Sequence, residues 1–569
     1  MPRRVLGLAL GCVVFSLATR LDCQTSPVKE PTITSSTELV LIPTVVTDKS
    51  GNHIFGLKSD AFVLKQDGKP QHIAIFEEVK TDTARVHRSE GQQGRFTNYD
   101  SDGNDHHRLS IIVLDFLNTP ASDQANARNA LLRLLNEVAD SDQPMCLLAL
   151  SSSGLNLLHD FTDDPKLLAA ALNKAKSSTP MIYEGTTDPH HPADGPLAAA
   201  ITRMIRGDLR MESQLASLET KQAANLTMQA LEQIAKAFRG LPGRKSLIWA
   251  SSGFPFSLSP TSSAGLTDDM STSVHSGGEM YSVYDNLWKM MNDAQIAIYS
   301  VDLRSSTVDL PMSTGGVRPS DAGDPQFDIE LQAKVQRAES NSTLKSFAEN
   351  TGGKAFLGGN NLTESFRQAI QDDSNYYMLG YYVGRNSTKP GWHTLAITSS
   401  TKGARIRSRR GFLLTSDTSP ASAEQDIHLA LTSPLDFTGV PISITWLGKE
   451  SGQVSDKSRT RFELEIPAGF ASVDETDNNH MLVDIAVSAK SSNGNAAGDI
   501  SQRIDTHLNS DALAQIQQHG MTYRNGLRLP PGEYTVRFVV RDSLGNRLGS
   551  VAAPVKVAAD TADSTLPAH

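Results

Sequence analysis

Four short apolar runs, at 109–115, 145–150, 246–250 and 296–301, recur with amphipathic stretches between them. Each has the length of a strand and is too short for a buried helix. In "SDQANARNALLRLLNEVADS" the spacing puts Leu131, Leu134, Leu135 and Val138 on one helical face, with Ser122 expected as N-cap. "DDPKLLAAALNKAK" opens with Asp164 as cap and Pro165 at the first helical position, where a missing N–H costs nothing. A long helix is expected around 213–239, carrying Leu231, Ile234 and Phe238 and ended by "GLPGRK", with further helices at 341–350 and 361–372. Buried strands alternating with helices predict an α/β unit: a mostly parallel sheet covered on both faces.

The two ends read differently. Residues 37–79 are strand-rich, broken at "DKSGN" and "QDGK"; near the other end Tyr534, Val536, Phe538 and Val540 alternate with polar residues. "VVTDKSGN" (45–52) and "VVRDSLGN" (539–546) share the grammar V-V-x-D-x-x-G-N. Two immunoglobulin-like β modules are one reading, convergent hairpin chemistry the other. Polar stretches mark the joints. The expected division is a signal peptide at 1–24, an N-terminal β module at 32–84, a linker at 85–107, and the α/β unit with its terminal strands at 108–414. A second linker at 415–425, a β-sandwich-like domain at 426–558 and a disordered tail at 559–569 complete it. Ser/Gly/Pro-rich stretches at 255–280 and 304–338 are expected to be long loops.

The formal net charge of −10 argues against a nucleic-acid partner and against a polybasic membrane anchor. Arg3 and Arg4 followed by the apolar stretch Val5–Ala18 fit a secretory signal, and this stretch is short for a membrane span. The expected destination is the periplasm, the cell surface or the medium, with no transmembrane span in the mature chain. "RLDC", ending at Cys23, invites a lipid anchor, although Asp22 stands where such signals want a small residue. With Cys12 in the signal, only Cys23 and Cys146 remain, so no disulfide framework supports the fold.

The blocks "HDFTDDPKLLAAAL", "LPGRKSLIWASSGFP", "AQIAIYSVDLR", "LKSFAENTGGKAF", "NYYMLGYY" and "GARIRSRRGFL", in that order, carry a family resemblance. Together with the strand-rich lead-in from "TVVTDKSGN", they resemble the von Willebrand factor A-related proteins of Acidobacteria, over about residues 38–413. The resemblance implies a von Willebrand A-like doubly wound domain whose ligand site lies at the carboxyl ends of the strands. In that family the site holds Mg²⁺ or Mn²⁺ through a D-x-S-x-S loop, a threonine from a second loop and an aspartate from a third, leaving a position for a partner's carboxylate.

Carried onto "LSIIVLDFLNTP" (109–120), the pattern is incomplete. Asp115 matches the first aspartate, Leu117 replaces the first serine, and Thr119 replaces the second. Ser252 in "WASSGFP" stands where the third-loop aspartate is expected, and Thr186 in "YEGTTD" is a loose match to the second-loop threonine. Asn118 offers a further carbonyl oxygen. The resemblance thus implies a degenerate metal-ion-dependent adhesion site of Asp115, Thr119 and Ser252, with no metal or weak Mg²⁺/Mn²⁺. The alternative is that Asp115 caps the helix beginning near Ser122, or binds amides of its own loop.

"DHHR" (105–108) and "DPHHPAD" (188–194) pair histidines with aspartates, the tyrosines of "NYYMLGYY" are expected to pack beside the sheet, and "RIRSRRGF" reads as a solvated strand. The chain contains no H-E-x-x-H, C-x-x-C, G-x-S-x-G or phosphate-binding glycine loop. The function expected is adhesion-type binding of a protein partner. A hydrolase-like enzyme with a nucleophile–base pair near Asp115 or Ser252, or a structural envelope component, are the other readings.

Overall fold

A computed structural model describes residues 37–80, 94–99, 108–137, 144–175, 218–241, 243–254, 277–304, 325–358, 361–372, 375–384, 388–389, 391–414, 420–450 and 459–558. The signal region, Thr186, 188–194, the histidines of 105–108 and the stretches 255–276 and 305–324 lie outside the described residues.

Among the described residues the chain is mixed α/β, with a six-stranded mixed sheet and four antiparallel sheets. The mixed sheet comprises β1 (Arg108–Asp115), β2 (Met145–Ser151), β3 (Gly154–Thr162), β4 (Arg244–Ser251), β5 (Ile296–Asp302) and β6 (Lys354–Phe356). These strands lie in the order β3-β2-β1-β4-β5-β6. Every neighbouring pair is parallel except β2 and β3, which are antiparallel. Alternation along β1 sends Ile111 and Val113 to one core and Ile112 and Leu114 to another. The first core includes α3 (218–238), α4 (Gly277–Asp293) and α5 (Pro325–Thr351). The second includes α1 (Ala121–Glu137), α2 (Pro165–Lys174) and α6 (Leu362–Gln371). Helices therefore cover both faces, as the pattern of apolar runs predicts.

The helix boundaries follow local chemistry. Asp164 caps α2 by accepting from the Lys166 amide at 2.8 Å, with Pro165 in the first turn. Ser122 does not cap α1, because the helix already begins at Ala121. Instead the Gln124 side-chain Nε2 donates to the carbonyls of Phe116 (3.0 Å) and Thr119 (2.8 Å), closing the loop before the helix. Helix α5 begins at Pro325, so 325–338 is helical rather than loop.

The β modules divide the chain differently from the expected boundaries. Strands at Arg405–Ser408, Thr37–Thr47, Asn375–Gly384 and Ile75–Lys80 form one sheet; Gly411–Leu414, Gly391–Ser399, Phe62–Gln66 and Lys69–Gln71 form another. Both contribute to one core with Val40, Ile42, Leu64, Leu379, Tyr381 and Phe412. Residues 375–414 thus complete the N-terminal β unit rather than the α/β unit, which is inserted between Lys80 and Asn375. The physical reason is that Thr37–Thr47 and Ile75–Lys80 do not pair with each other: Asn375–Gly384 lies between them and hydrogen-bonds both, as Gly391–Ser399 does the exposed edge of Phe62–Gln66. Arg407 and Arg409 are not simply solvated: Arg407 forms a bidentate pair with Asp372 at 2.6 Å, and buried Arg409 donates to the Asn292 carbonyl at 2.7 Å.

Two further antiparallel sheets share the C-terminal core of Ile444, Phe462, Val487, Val536 and Phe538. One of them recruits Arg95–Thr97 from the expected first linker, which pairs with Ser443–Thr445. Beside it, buried Asn98 donates to the carbonyls of Phe437 and Val440 and accepts from the Ile442 amide. The second expected linker likewise gives way to α7 (Pro420–Thr432). Its Ala430, with Leu435, Phe437, Val539 and Leu548, joins the apolar cluster that contains Leu231 and Phe238 of α3. Among the described residues no helix is long and apolar enough to cross a membrane.

Candidate functional site

Parallel register aligns the carboxyl ends of β1, β4 and β5. Asp302 pairs with Ser251, and Asp115 follows the Leu114–Ala250 pair. Strand order reverses direction between β1 and β4, so Asp115 stands at the switch point of the sheet.

Asp115 is fully buried and densely hydrogen-bonded. Its Oδ1 accepts from the Asn118 amide at 3.0 Å, and the Asn118 Nδ2 group lies 3.1 and 2.9 Å from Oδ1 and Oδ2. Ser251 Oγ reaches Oδ2 at 2.8 Å. Burial pushes the Asp115 carboxyl up to about 6 from an ordinary 3.8, opposed by the hydrogen bonds from Asn118 and Ser251. Asn118 in turn donates to Thr227 Oγ1 of α3 at 2.9 Å, and Thr227 donates to the Ala223 carbonyl at 2.8 Å.

The structure brings Asp115, Thr119 and Ser252 to the same edge of the sheet, but Thr119 and Ser252 share a second set of hydrogen bonds separate from that of Asp115. Thr119 Oγ1 accepts from the Ser252 amide at 3.1 Å, and Ser252 Oγ donates to Asp123 Oδ2 at 3.0 Å. Thr119, Asn118 and Ser251 are fully buried, and Ser252 nearly so. Leu117 turns the other way: its N–H donates to the Leu150 carbonyl at 3.1 Å, and its side chain enters the apolar core with Ile111 and Val113. A leucine at this position serves packing where a serine would face the loop.

This donor set does not fit an octahedral cation. Mg²⁺ takes near-ideal six-oxygen coordination and keeps several waters. Here the carboxylate is occupied by three donor groups, both hydroxyls are engaged, and Asn118 turns its Nδ2, not its carbonyl oxygen, toward Asp115. Of the two alternatives for Asp115, its bond to the Asn118 amide is the own-loop arrangement; it does not cap α1.

Three participants escape a reading by motif, Ser251, Thr227 and Asp123, and so does Asp302, which stands at the same sheet edge opposite Ser251. Asp302 had a signal, because it ends an apolar run as Asp115 does; it is buried and held by Arg304 Nε at 2.8 Å and Nη2 at 3.0 Å. Thr227 had none, since a threonine inside a helix is distinguished only by what faces it.

No family model matches the chain, and no curated protein does. Solved structures give partial likenesses. The N-terminal domain of TFIIH p34 is 14% identical with a TM-score of 0.20, covering 47% of this chain and 98% of its own. The human COPII-coat protein Sec24c is 10% identical with a TM-score of 0.22, covering 59% and 49%. A Bacteroides uniformis beta-glucuronidase is 11% identical with a TM-score of 0.14, covering 32% and 19%.

Proposed function

We propose that this chain is an exported protein-binding protein of the adhesion type, built around a von Willebrand A-like domain whose metal-ion-dependent adhesion site is degenerate. The reading is supported by the 3-2-1-4-5-6 order of the central sheet, with Asp115 at its switch point. An immunoglobulin-like reading of the C-terminal module is supported by Tyr534, whose hydroxyl donates to the Pro530 carbonyl at 2.9 Å as in a tyrosine corner. The carrying observation is the closure of the Asp115 carboxylate by Asn118 and Ser251. A carboxylate so engaged does not bridge to a partner through a cation, so recognition rests on the loop surfaces around it.

Calorimetric titration of the full chain with Mg²⁺ and Mn²⁺, beside Asp115→Ala, tests the degenerate site. No saturable heat in either protein is expected; saturable binding lost in the variant overturns the reading. Crosslinking to an envelope protein fraction with and without EDTA tests the protein-binding function, and EDTA-insensitive capture of a discrete partner is expected. The Ser252–Asp123 hydrogen bond favours hydrolysis as a second reading, since a hydroxyl on a carboxylate is a nucleophile–base arrangement. Ester hydrolysis abolished by Ser252→Ala would establish it.

A further inference from the structure

One sheet of the C-terminal module runs Met521–Arg528, Arg459–Ile466, Ser443–Glu450 and Arg95–Thr97, in that order. Phe462, Leu464, Tyr523 and Leu527 enter the core, so alternation places Arg459, Arg461, Glu463, Glu465, Arg524 and Arg528 on the outer face. At one end of that face each arginine has a carboxylate. Arg524 pairs with Glu463, and Arg95 Nη2 lies 3.2 Å from Glu465 Oε2.

The other end is different. Arg459 and Arg528 are directly opposed on neighbouring strands, Arg461 follows two positions along, and all three are exposed. Like charges set opposite one another on a sheet repel. Register sets Glu450 opposite Arg459, which leaves the three arginines in excess. Among the described residues no carboxylate pairs with any of them. Arg459 is held by neutral acceptors instead: its Nη2 donates to Asn525 Oδ1 at 2.7 Å and its Nε to the Gly526 carbonyl at 3.3 Å. Glycine is required there, because a Cβ at 526 would lie 2.8 Å from Arg459 Cγ, where the stem crosses the strand. Gly448 and Gly526 lie on either side of Arg461, so no side chain walls it in. The guanidinium of Arg459 is thus oriented before any partner arrives, with its charge left open.

Such a cluster runs against the balance of a chain whose formal net charge is −10. We infer that Arg459, Arg461 and Arg528 form a docking face for an extended acidic polypeptide segment. Guanidinium rather than ammonium at each position suits the paired oxygens of a carboxylate. Arg459 and Arg461 leave one strand about 7 Å apart, the spacing at which an extended peptide presents every second side chain. Among its described residues the face offers no aromatic ring for nucleobases to stack on. The face belongs to the C-terminal module, so the inference stands apart from the role of the loops around Asp115.

Fluorescence anisotropy of the full chain with a labelled peptide of alternating glutamate and threonine tests this. Saturable binding is expected at low salt, weakening as salt rises. It is expected to fall roughly tenfold when Arg461→Gln and Arg528→Gln are combined, and to be absent for a peptide of alternating glutamine and threonine. Lys402→Gln combined with Arg405→Gln removes the same charge from exposed positions of the N-terminal β unit and is expected to bind as wild type does. No saturable binding, or an equal loss in the two double variants, overturns the inference. Tighter binding of a heparin oligosaccharide or of phosphatidylserine vesicles also overturns it, by making the face a site for another polyanion.

Discussion

Asp115 is a charge-bearing group placed where charge is least welcome, and its surroundings show how that is tolerated. The folded-state value near 6 lies above the ordinary 3.8, so the folded protein holds this proton more tightly than the unfolded chain does. Its contribution to stability is therefore fully present below about pH 3.8 and is lost as pH rises through about 6. The loss is on the order of 3 kcal/mol. Denaturant unfolding from pH 4 to 7.5 should show wild type losing ground to Asp115→Asn as pH rises; parallel curves would refute the burial argument. Asn118 supplies most of the compensation. Its replacement by alanine removes the Nδ2 donor and leaves the buried carboxylate with the backbone N–H of position 118 and Ser251, and a loss of about 2 kcal/mol is expected in the same measurement.

At the level of elements, α3 links two parts of the molecule. Thr227 near its middle reaches the Asp115 network, and Lys236 near its end meets Asp426 of α7 at 2.8 Å. Asp426 also receives Arg541 Nε at 3.3 Å, whose side chain is almost wholly buried. Asp426→Ala leaves Lys236 with Glu232 at 2.7 Å but takes the carboxylate from buried Arg541, and a loss of about 3 kcal/mol is expected by chemical denaturation, since removing one partner leaves buried charge uncompensated. A loss under about 0.5 kcal/mol would mean that water already screens the triad. The turn that follows α3 is also tightly seated. A Cβ at Gly240 would lie 1.8 Å from the Thr438 carbonyl oxygen, so Gly240→Ala forces the C-terminal module away from the helix. Faster proteolysis of the variant at this joint is the expected readout.

Across the whole molecule, the α/β unit is bounded on two sides by β modules that it does not merely adjoin. Trp288 of α4 packs edge-on against Trp392 of the N-terminal β unit at 4.4 Å, and Phe437 and Leu548 close the core that α3 opens. The full chain is accordingly expected to unfold in one calorimetric transition. A fragment of 100–415 is expected to aggregate. It would carry the strands 375–414 without their partners at 37–80 and leave the α3 core uncovered. Two resolved transitions, or a soluble folded fragment, would show the modules to be independent.

What is legible in the sequence follows from local rules. The apolar runs became the central strands because period and length are read residue by residue. The Asp164–Pro165 start of α2 and the Asp48 and Asp542 turns, which bind their own backbone amides, obey chemistry contained within a few positions. The proximity of Asp115, Thr119 and Ser252 was also readable, since strands of a parallel sheet deliver their carboxyl ends to one edge. Other features depended on tertiary structure. Whether Asp115 meets solvent, a cation or three protein donors turns on Ser251 and Thr227, which lie 136 and 112 positions away in the chain. The assignment of 375–414 and 95–97 to sheets begun or completed elsewhere was likewise decided by which edges remained unpaired. Strand grammar specifies that a segment will pair; only the assembled fold specifies its partner.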